Sequence, residues 1–310
     1  MNIVVTGATG FIGRPLCAHL LALGHRVTVL SRDAGRAQAA LGDQIKSLTW
    51  GAQTGEAWKK VVGSADAIIH LAGESVAGAK WTPAYKAQIR SSRVDSTRLL
   101  VDAMREAERK PSVLISTSAI GYYGDRKDET VTEKSSPNND FLAEVCVAWE
   151  AEARKAEILG VRVTRMRIGI VLGPGGALEK MLHPLPLPIN PYKLGAGGPM
   201  GSGKQWMSWV HLDDVIGLYT WALLNTEVQG AVNVTSPNPV TNAEFAHAIG
   251  EFFHRPTLVP IPAFALRALL GDFAQSLLTG QKALPEVAEK LGYHFKYATL
   301  AAALRAILQK

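Results

Sequence analysis

Through the first half of the chain, short apolar runs rich in β-branched residues alternate with longer stretches whose apolar positions recur at helical spacing. Residues 3–5, 26–30, 45–49, 67–71, 113–117 and 161–170 read as six strands. Stretches 12–23, 83–107 and 140–159 carry the helical pattern between them. Runs such as Ala67-Ile68-Ile69 have no polar alternation, which suits strands covered on both faces. Strands separated by helices of this length form βαβ units with right-handed crossovers. The fold class that follows is α/β, a Rossmann-type doubly wound parallel sheet.

The texture changes at Gly173. The proline-rich stretch 183–191 can be neither a regular helix nor a central strand, and it runs into a glycine-rich loop at 195–203. A loop this long inside a compact chain points to function. Beyond it, 205–210 and 231–234 read as strands, with a helix between them that starts at Asp213 or Asp214 and runs to about 224. Thr241 stands as the N-cap of a helix over 241–253. The remaining residues are helical and punctuated by Pro260, Pro262 and Pro285. The division expected is a nucleotide-binding domain over 1–235 and a smaller, mainly helical lobe over 236–310 that caps a substrate site.

The first strand leads into Thr6-Gly7-Ala8-Thr9-Gly10-Phe11-Ile12-Gly13, glycines spaced Gly-x-x-Gly-x-x-Gly between a strand and a helix. Gly7 lets the chain turn sharply, Gly10 keeps a β-carbon away from a pyrophosphate, and Gly13 lets the helix pack closely. The helix amides and dipole then face the phosphates, so a dinucleotide is the expected ligand. Strand two ends at Ser31-Arg32, where a carboxylate would otherwise meet a free ribose 2′-hydroxyl. A guanidinium fork suits a 2′-phosphate, so the cofactor expected is NADP, with Arg14 placed to join Arg32.

Composition narrows the class. The 310 residues carry a net charge of +6, but the basic residues are scattered, so an anionic cofactor accounts for the charge better than nucleic acid does. No apolar run approaches the ~18–20 residues of a membrane span, and no secretory signal opens the chain. Cys17 and Cys146, without metal-ligand spacing, read as reduced core thiols of a cytoplasmic protein.

The glycine turn resembles the cofactor signature of the extended short-chain dehydrogenase/reductases, the group holding sugar-nucleotide epimerases and dehydratases. His70-Leu71-Ala72-Gly73 is similar to that family's turn beside the adenosine ribose, and Glu74 follows near the expected nicotinamide or substrate. Ser116-Thr117-Ser118-Ala119-Ile120-Gly121-Tyr122-Tyr123-Gly124 resembles the family's serine-to-tyrosine turn. The resemblance implies that Ser118 hydrogen-bonds the reacting oxygen of a substrate. The family's catalytic tyrosine and lysine positions are occupied by Phe141 and Val145, which cannot move a proton. A literal Tyr-x-x-x-Lys at Tyr123 and Lys127 lies in a loop with no shared helical face.

This departure, together with Trp81-Thr82-Pro83, Ile89-Arg90-Ser91-Ser92-Arg93, the 201–211 loop and the C-terminal stretch from Pro262, resembles an atypical epimerase-like branch closed by a domain of unknown function. It implies an NADP-binding extended short-chain fold. The first reading is then an NADP(H)-dependent oxidoreductase or epimerase-like enzyme acting on a small molecule, with Ser118 polarising the oxygen and Tyr122, Tyr123 or Glu74 handling the proton. The alternative is a non-catalytic NADP(H)-binding redox sensor, which the missing dyad favours. Arg90 and Arg93 share one helix face and could reach a phosphate, or form an ordinary ion-paired surface. Trp149 reads as core. Lys204, Gln205, Trp206 and His211 follow the glycine loop as softer substrate candidates.

Overall fold

A computed structural model of the chain describes residues 1–183 and 189–309; the proline run at 184–188 therefore lies outside the described residues. Seven strands form one parallel sheet: β1 (Asn2–Thr6), β2 (Arg26–Ser31), β3 (Lys46–Thr49), β4 (Ala67–His70), β5 (Val113–Ala119), β6 (Arg162–Ile168) and β7 (Gly230–Val234). Their order is β7-β6-β5-β4-β1-β2-β3, so the direction of winding reverses between β1 and β4. The carboxyl ends of those two strands flank the crevice where ligands of such sheets bind.

Alternation along the strands explains the double layer. Ile3, Val5, Val27, Val29, Ile69 and Ile115 face one side, and Val4, Leu30, Ile68 and Leu114 the other. The first face packs on α1 (Gly13–Ala22), α2 (Ala34–Leu41) and α6 (Leu212–Leu224). The second packs on α3 (Ala57–Ser64), α4 (Pro83–Glu106) and α5 (Phe141–Arg154). Each fully buried aliphatic side chain contributes about 1.5–3 kcal/mol, which is why Ile3 to Val5 in β1 and Ala67 to Ile69 in β4 carry no polar alternation.

Four details differ from the pattern. The sixth predicted strand breaks at Gly169, where a β-carbon would lie 2.2 Å from the Ser208 carbonyl oxygen. Residues Ile170–Leu172 turn away and pair in parallel with Trp209–His211. The predicted strand 205–210 splits at Ser208, because Trp206–Met207 pairs instead with Val240–Thr241. The predicted helix 140–159 ends at Arg154, followed by a 3-10 turn at Glu157–Leu159. Finally, His211, not Asp213 or Asp214, caps α6, its Nδ1 accepting from the Asp213 amide at 3.0 Å. Thr241 caps its helix, Asn242–Phe253, in a full capping box with Glu244.

The lobe beside the sheet is built from two stretches of chain. Leu172, Leu178, Tyr192, Met207 and Trp209 share one core with Phe245, Ile249, Leu300 and Leu304. The segment 189–211 is thereby held over the carboxyl ends of β5 and β6.

Candidate functional site

The glycine turn lies at the β1–β4 crevice. Gly7 has φ +69°, and a β-carbon there would lie 2.7 Å from the Leu71 carbonyl carbon, so the two crossover turns touch backbone to backbone. Thr6 locks that approach: its Oγ1 accepts from the Ala72 amide at 3.2 Å and bonds His70 Nδ1 at 2.7 Å. His70 is fully buried, also meets Thr97 at 3.0 Å, and burial pushes its imidazole down to about 3. A β-carbon on Gly13 would clash with Gly7 and Ala8 backbone at 2.4–2.6 Å. Gly10 is different: a β-carbon there would meet only the Gly7 carbonyl oxygen, at 3.2 Å, and otherwise open space.

Two of the three glycines are thus required by the protein's own packing, and the third leaves room above the turn. The start of α1 points the same way, since its N-cap Ile12 supplies no side-chain hydrogen bond. α2, α4 and α5 are capped by Asp33, Thr82 and Asp140, while α3, like α1, has no side-chain cap. An uncapped helix start beside an open glycine fits a pyrophosphate.

Thr9 is exposed, and its carbonyl accepts from Arg14 Nε at 2.9 Å, which ties Arg14 to the turn rather than to Arg32. The Phe11 ring packs on the turn at 173–176, where a β-carbon on Gly176 would meet it at 2.5 Å. Ser31 Oγ accepts from the Asp33 amide at 3.2 Å. The Arg32 side chain is 88% exposed, with the Glu74 carboxylate 3.7 Å away. Leu71, Ala72 and Gly73 line the crevice floor, and Gly73 sits against the Arg93 guanidinium.

From this crevice a cavity of about 370 Å³ opens between the sheet and the lobe. The sheet side contributes Leu71, Gly73, Thr117, Ser118 and residues 168–170. Residues 200 and 205–208 and residues 276, 277 and 279–281 form the opposite wall. α5 presents Leu142, Val145, Cys146 and Trp149 to it, a helical stripe of neighbouring turns, and α4 presents Ile89 and Arg93. The volume falls at the lower end of small-molecule sites, roughly 300–1,000 Å³.

The candidate proton-handling groups lie elsewhere. Tyr123 is fully buried; its hydroxyl donates to Asn233 Oδ1 at 2.7 Å and accepts from Arg167 at 3.0 Å, and burial pushes the phenol up to about 12. Tyr122 lies with its ring under the Arg167 guanidinium, 3.5 Å from the centroid. Neither tyrosine lines the cavity, and neither does Glu74, which faces Arg32. Their assignment to proton transfer finds no support in this geometry.

Ser118 does line the cavity, but its hydroxyl donates to Glu150 Oε1 at 2.8 Å. Glu150 is 2% exposed and also held by Arg167 at 2.7 and 2.9 Å and by Arg165 at 3.3 Å. With its proton committed to that carboxylate, Ser118 faces the cavity as an acceptor. Phe141, at the family's tyrosine position, packs edge-on against Trp81 at 5.3 Å and faces a neighbouring recess. Val145 is a plain apolar wall.

Sequence reasoning missed Trp149 as a cavity residue, and the wall formed by Met200, Ser276, Thr279 and Gln281. The helical spacing Leu142, Val145, Trp149 carried the first signal, since it sets those side chains on one face of α5. Among the softer candidates, Gln205 and Trp206 reach the cavity. Lys204 is exposed and His211 is spent on capping α6.

Among known proteins, residues 3–235 match the model of the NAD dependent epimerase/dehydratase family, and residues 261–307 match a domain of unknown function, DUF1731. The chloroplastic epimerase family protein SDR39U1 homolog of Arabidopsis thaliana is 42% identical over 311 residues, covering 100% of this chain and 87% of its own. Epimerase family protein YfhF of Bacillus subtilis is 38% identical over 309 residues, covering 99% of this chain and 98% of its own. The crystal structure of human epimerase family protein SDR39U1 (isoform 2) with NADPH superimposes with a TM-score of 0.85 at 32% identity, covering both chains fully. By this match, and by the glycine turn and sheet order that precede it, the chain belongs to the NAD-dependent epimerase/dehydratase family.

Proposed function

We propose that this protein is an NADP(H)-dependent oxidoreductase, or an epimerase using the same hydride chemistry, that acts on a small molecule held between sheet and lobe. The observation that carries the reading is the cavity, which is continuous with the crevice at Leu71 and Gly73 and is roofed by the lobe. A protein that only reported cofactor occupancy would need no such chamber. The human relative solved with NADPH supports the choice of cofactor, as does Arg32 at the end of β2. Gly7, Gly10 and the amides opening α1 would hold the pyrophosphate, Arg32 the 2′-phosphate, and residues 71–73 the ribose. Bound there, NADP(H) supplies or takes a hydride. The chain's own part is to exclude water with Leu142, Val145, Ile170 and Met207 and to offer Ser118 Oγ as an acceptor. Residues 1–235 would carry the cofactor and 236–310 help close the substrate side. Two buried, free thiols at Cys17 and Cys146, each pushed up to about 12 by burial, suit a reducing compartment such as the cytoplasm.

One observation favours the sensor reading: no Asp, Glu, His, Lys or Tyr side chain lines the cavity among the described residues. A crystal structure with NADPH separates the two. A nicotinamide ring inside the cavity beside Thr117 and Ser118 is the expected result, and a ring turned out to solvent would sink the catalytic reading.

A further inference from the structure

The end of β2 carries no carboxylate of its own for a free ribose 2′-hydroxyl, and the fold brings one there from another strand. In the sheet order β4-β1-β2, the turn after β4 and the end of β2 flank the glycine turn from opposite sides. Glu74 from the first and Arg32 from the second meet across it, Oε2 to Nη1 at 3.7 Å. That is an ion pair without a hydrogen bond, so the guanidinium donors of Arg32 stay uncommitted. Asp33, the acid nearest to Arg32 in sequence, is engaged as the cap of α2, accepting from the Arg36 amide at 2.9 Å. Of the Arg32–Glu74 pair, the carboxylate is the fixed member. The Glu74 amide donates to Ser92 Oγ on α4 at 3.0 Å, and the chain just before it is bonded to Thr6 through the Leu71 and Ala72 amides. The Glu74 side chain is 25% exposed, against 88% for Arg32. Its oxygens take no hydrogen bond among the described residues, and neither is buried. Both are therefore open to a ligand in the crevice.

We propose that Glu74 sets the cofactor choice against Arg32: its carboxylate accepts from the ribose 2′-hydroxyl of NADH and repels the 2′-phosphate of NADPH. The inference rests on placing the ribose at residues 71–73 and the 2′-phosphate at Arg32, and it adds the residue that opposes Arg32. A 2′-phosphate brings about two negative charges beside a fixed carboxylate, and it must draw Arg32 away from that carboxylate. An exposed ion pair is worth at most about fivefold in an equilibrium. Repulsion between unit charges about 5 Å apart in solvent is of similar size. The hydroxyl of NADH meets neither cost and gains a charge-assisted hydrogen bond. The protein as it stands thus prefers NADPH by less than Arg32 alone would allow.

The test titrates the full-length protein and its Glu74→Gln variant with NADPH and with NADH by calorimetry, at low and at high salt. Glutamine keeps the size of the side chain and removes the charge; circular dichroism and thermal unfolding check the fold. Glu74→Gln is expected to bind NADPH about three- to tenfold more tightly and NADH about three- to tenfold more weakly. The gain for NADPH should shrink at high salt, because the charges are solvent-exposed, and a packing role would show no such dependence. In the Arg32→Ala background, Glu74→Gln should still tighten NADPH binding, since the repulsion needs no arginine. A preference for NADPH that stays the same or narrows in folded Glu74→Gln would overturn the inference and leave the cofactor reading standing. So would a gain that salt does not touch. A parent that binds neither cofactor would instead undo the reading of the crevice, and this inference with it.

Discussion

The glycine turn allows two substitutions that look alike in sequence to be told apart by structure. In Gly13→Ala the new β-carbon falls 2.4 Å from the Gly7 oxygen and 2.6 Å from the Ala8 α-carbon, both backbone atoms that cannot rotate away. The turn or α1 must shift, and overpacking of this kind costs about 1–3 kcal/mol, or several degrees in Tm. In Gly10→Val the only contact of the new β-carbon within 4 Å is the Gly7 oxygen at 3.2 Å, and the backbone there is not left-handed. That variant should therefore fold with a stability change under about 1 kcal/mol. On the proposed function it fills the space over the turn where the pyrophosphate meets the helix amides. Losing two charge-assisted contacts of roughly 1.5–3 kcal/mol each weakens NADPH binding by roughly 10²–10⁴-fold. Thermal unfolding and calorimetric titration, run on both variants, read the two effects separately. Folded Gly10→Val binding NADPH like the parent would refute the placement of the cofactor. Gly13→Ala melting with the parent would refute the packing argument.

Three further outcomes follow from the geometry. Arg32→Ala should cost about ten- to a hundredfold in NADPH affinity and leave NADH binding nearly unchanged, with little effect on stability because its ion pair to Glu74 is exposed; equal NADPH and NADH affinity in the parent would remove the basis for this assignment. Glu150→Ala strands the Arg167 guanidinium, 3% exposed, without its partner and should destabilise by about 3–5 kcal/mol in urea unfolding; a variant as stable as the parent would contradict it. His70, pushed down to about 3 by burial, stays neutral in the fold while the unfolded chain takes up a proton near 6.5. The unfolded state thus binds more protons between those values, so stability is full above about pH 6.5 and falls by up to about 1.4 kcal/mol per unit as the solution is acidified. His70→Asn should flatten that slope between pH 6 and pH 4, and an unchanged slope would place its origin elsewhere.

How much was legible in the sequence depended on how local the signal was. The parallel sheet and the cofactor turn were readable because each rests on neighbours in the chain: Ile3, Val4 and Val5 alternate between two helix layers, and Gly7, Gly10 and Gly13 lie within one turn. The missing tyrosine and lysine were readable for the same reason, as Phe141 and Val145 stand four apart on one helix. The fates of Ser118, Tyr122 and Tyr123 were not. Their hydroxyls and rings are claimed by Glu150, Arg167 and Asn233, which come from α5, β6 and β7. A side chain's hydrogen-bond partners across such separations follow from strand order, which residue spacing does not encode. The cavity is a still more distant product. It exists because Gly169 lets the chain cross under Ser208 and because Gln205 is tied to Leu277 across the lobe. The sequence by itself determined the layers, the glycine turn and the absent dyad, since these need only the local period and the residue types. The tertiary structure alone decided which polar groups are satisfied within the protein, as at Ser118 and Tyr123, and which are not, as at the Trp149 indole N–H and Gln205 Oε1, because the partners come from distant elements.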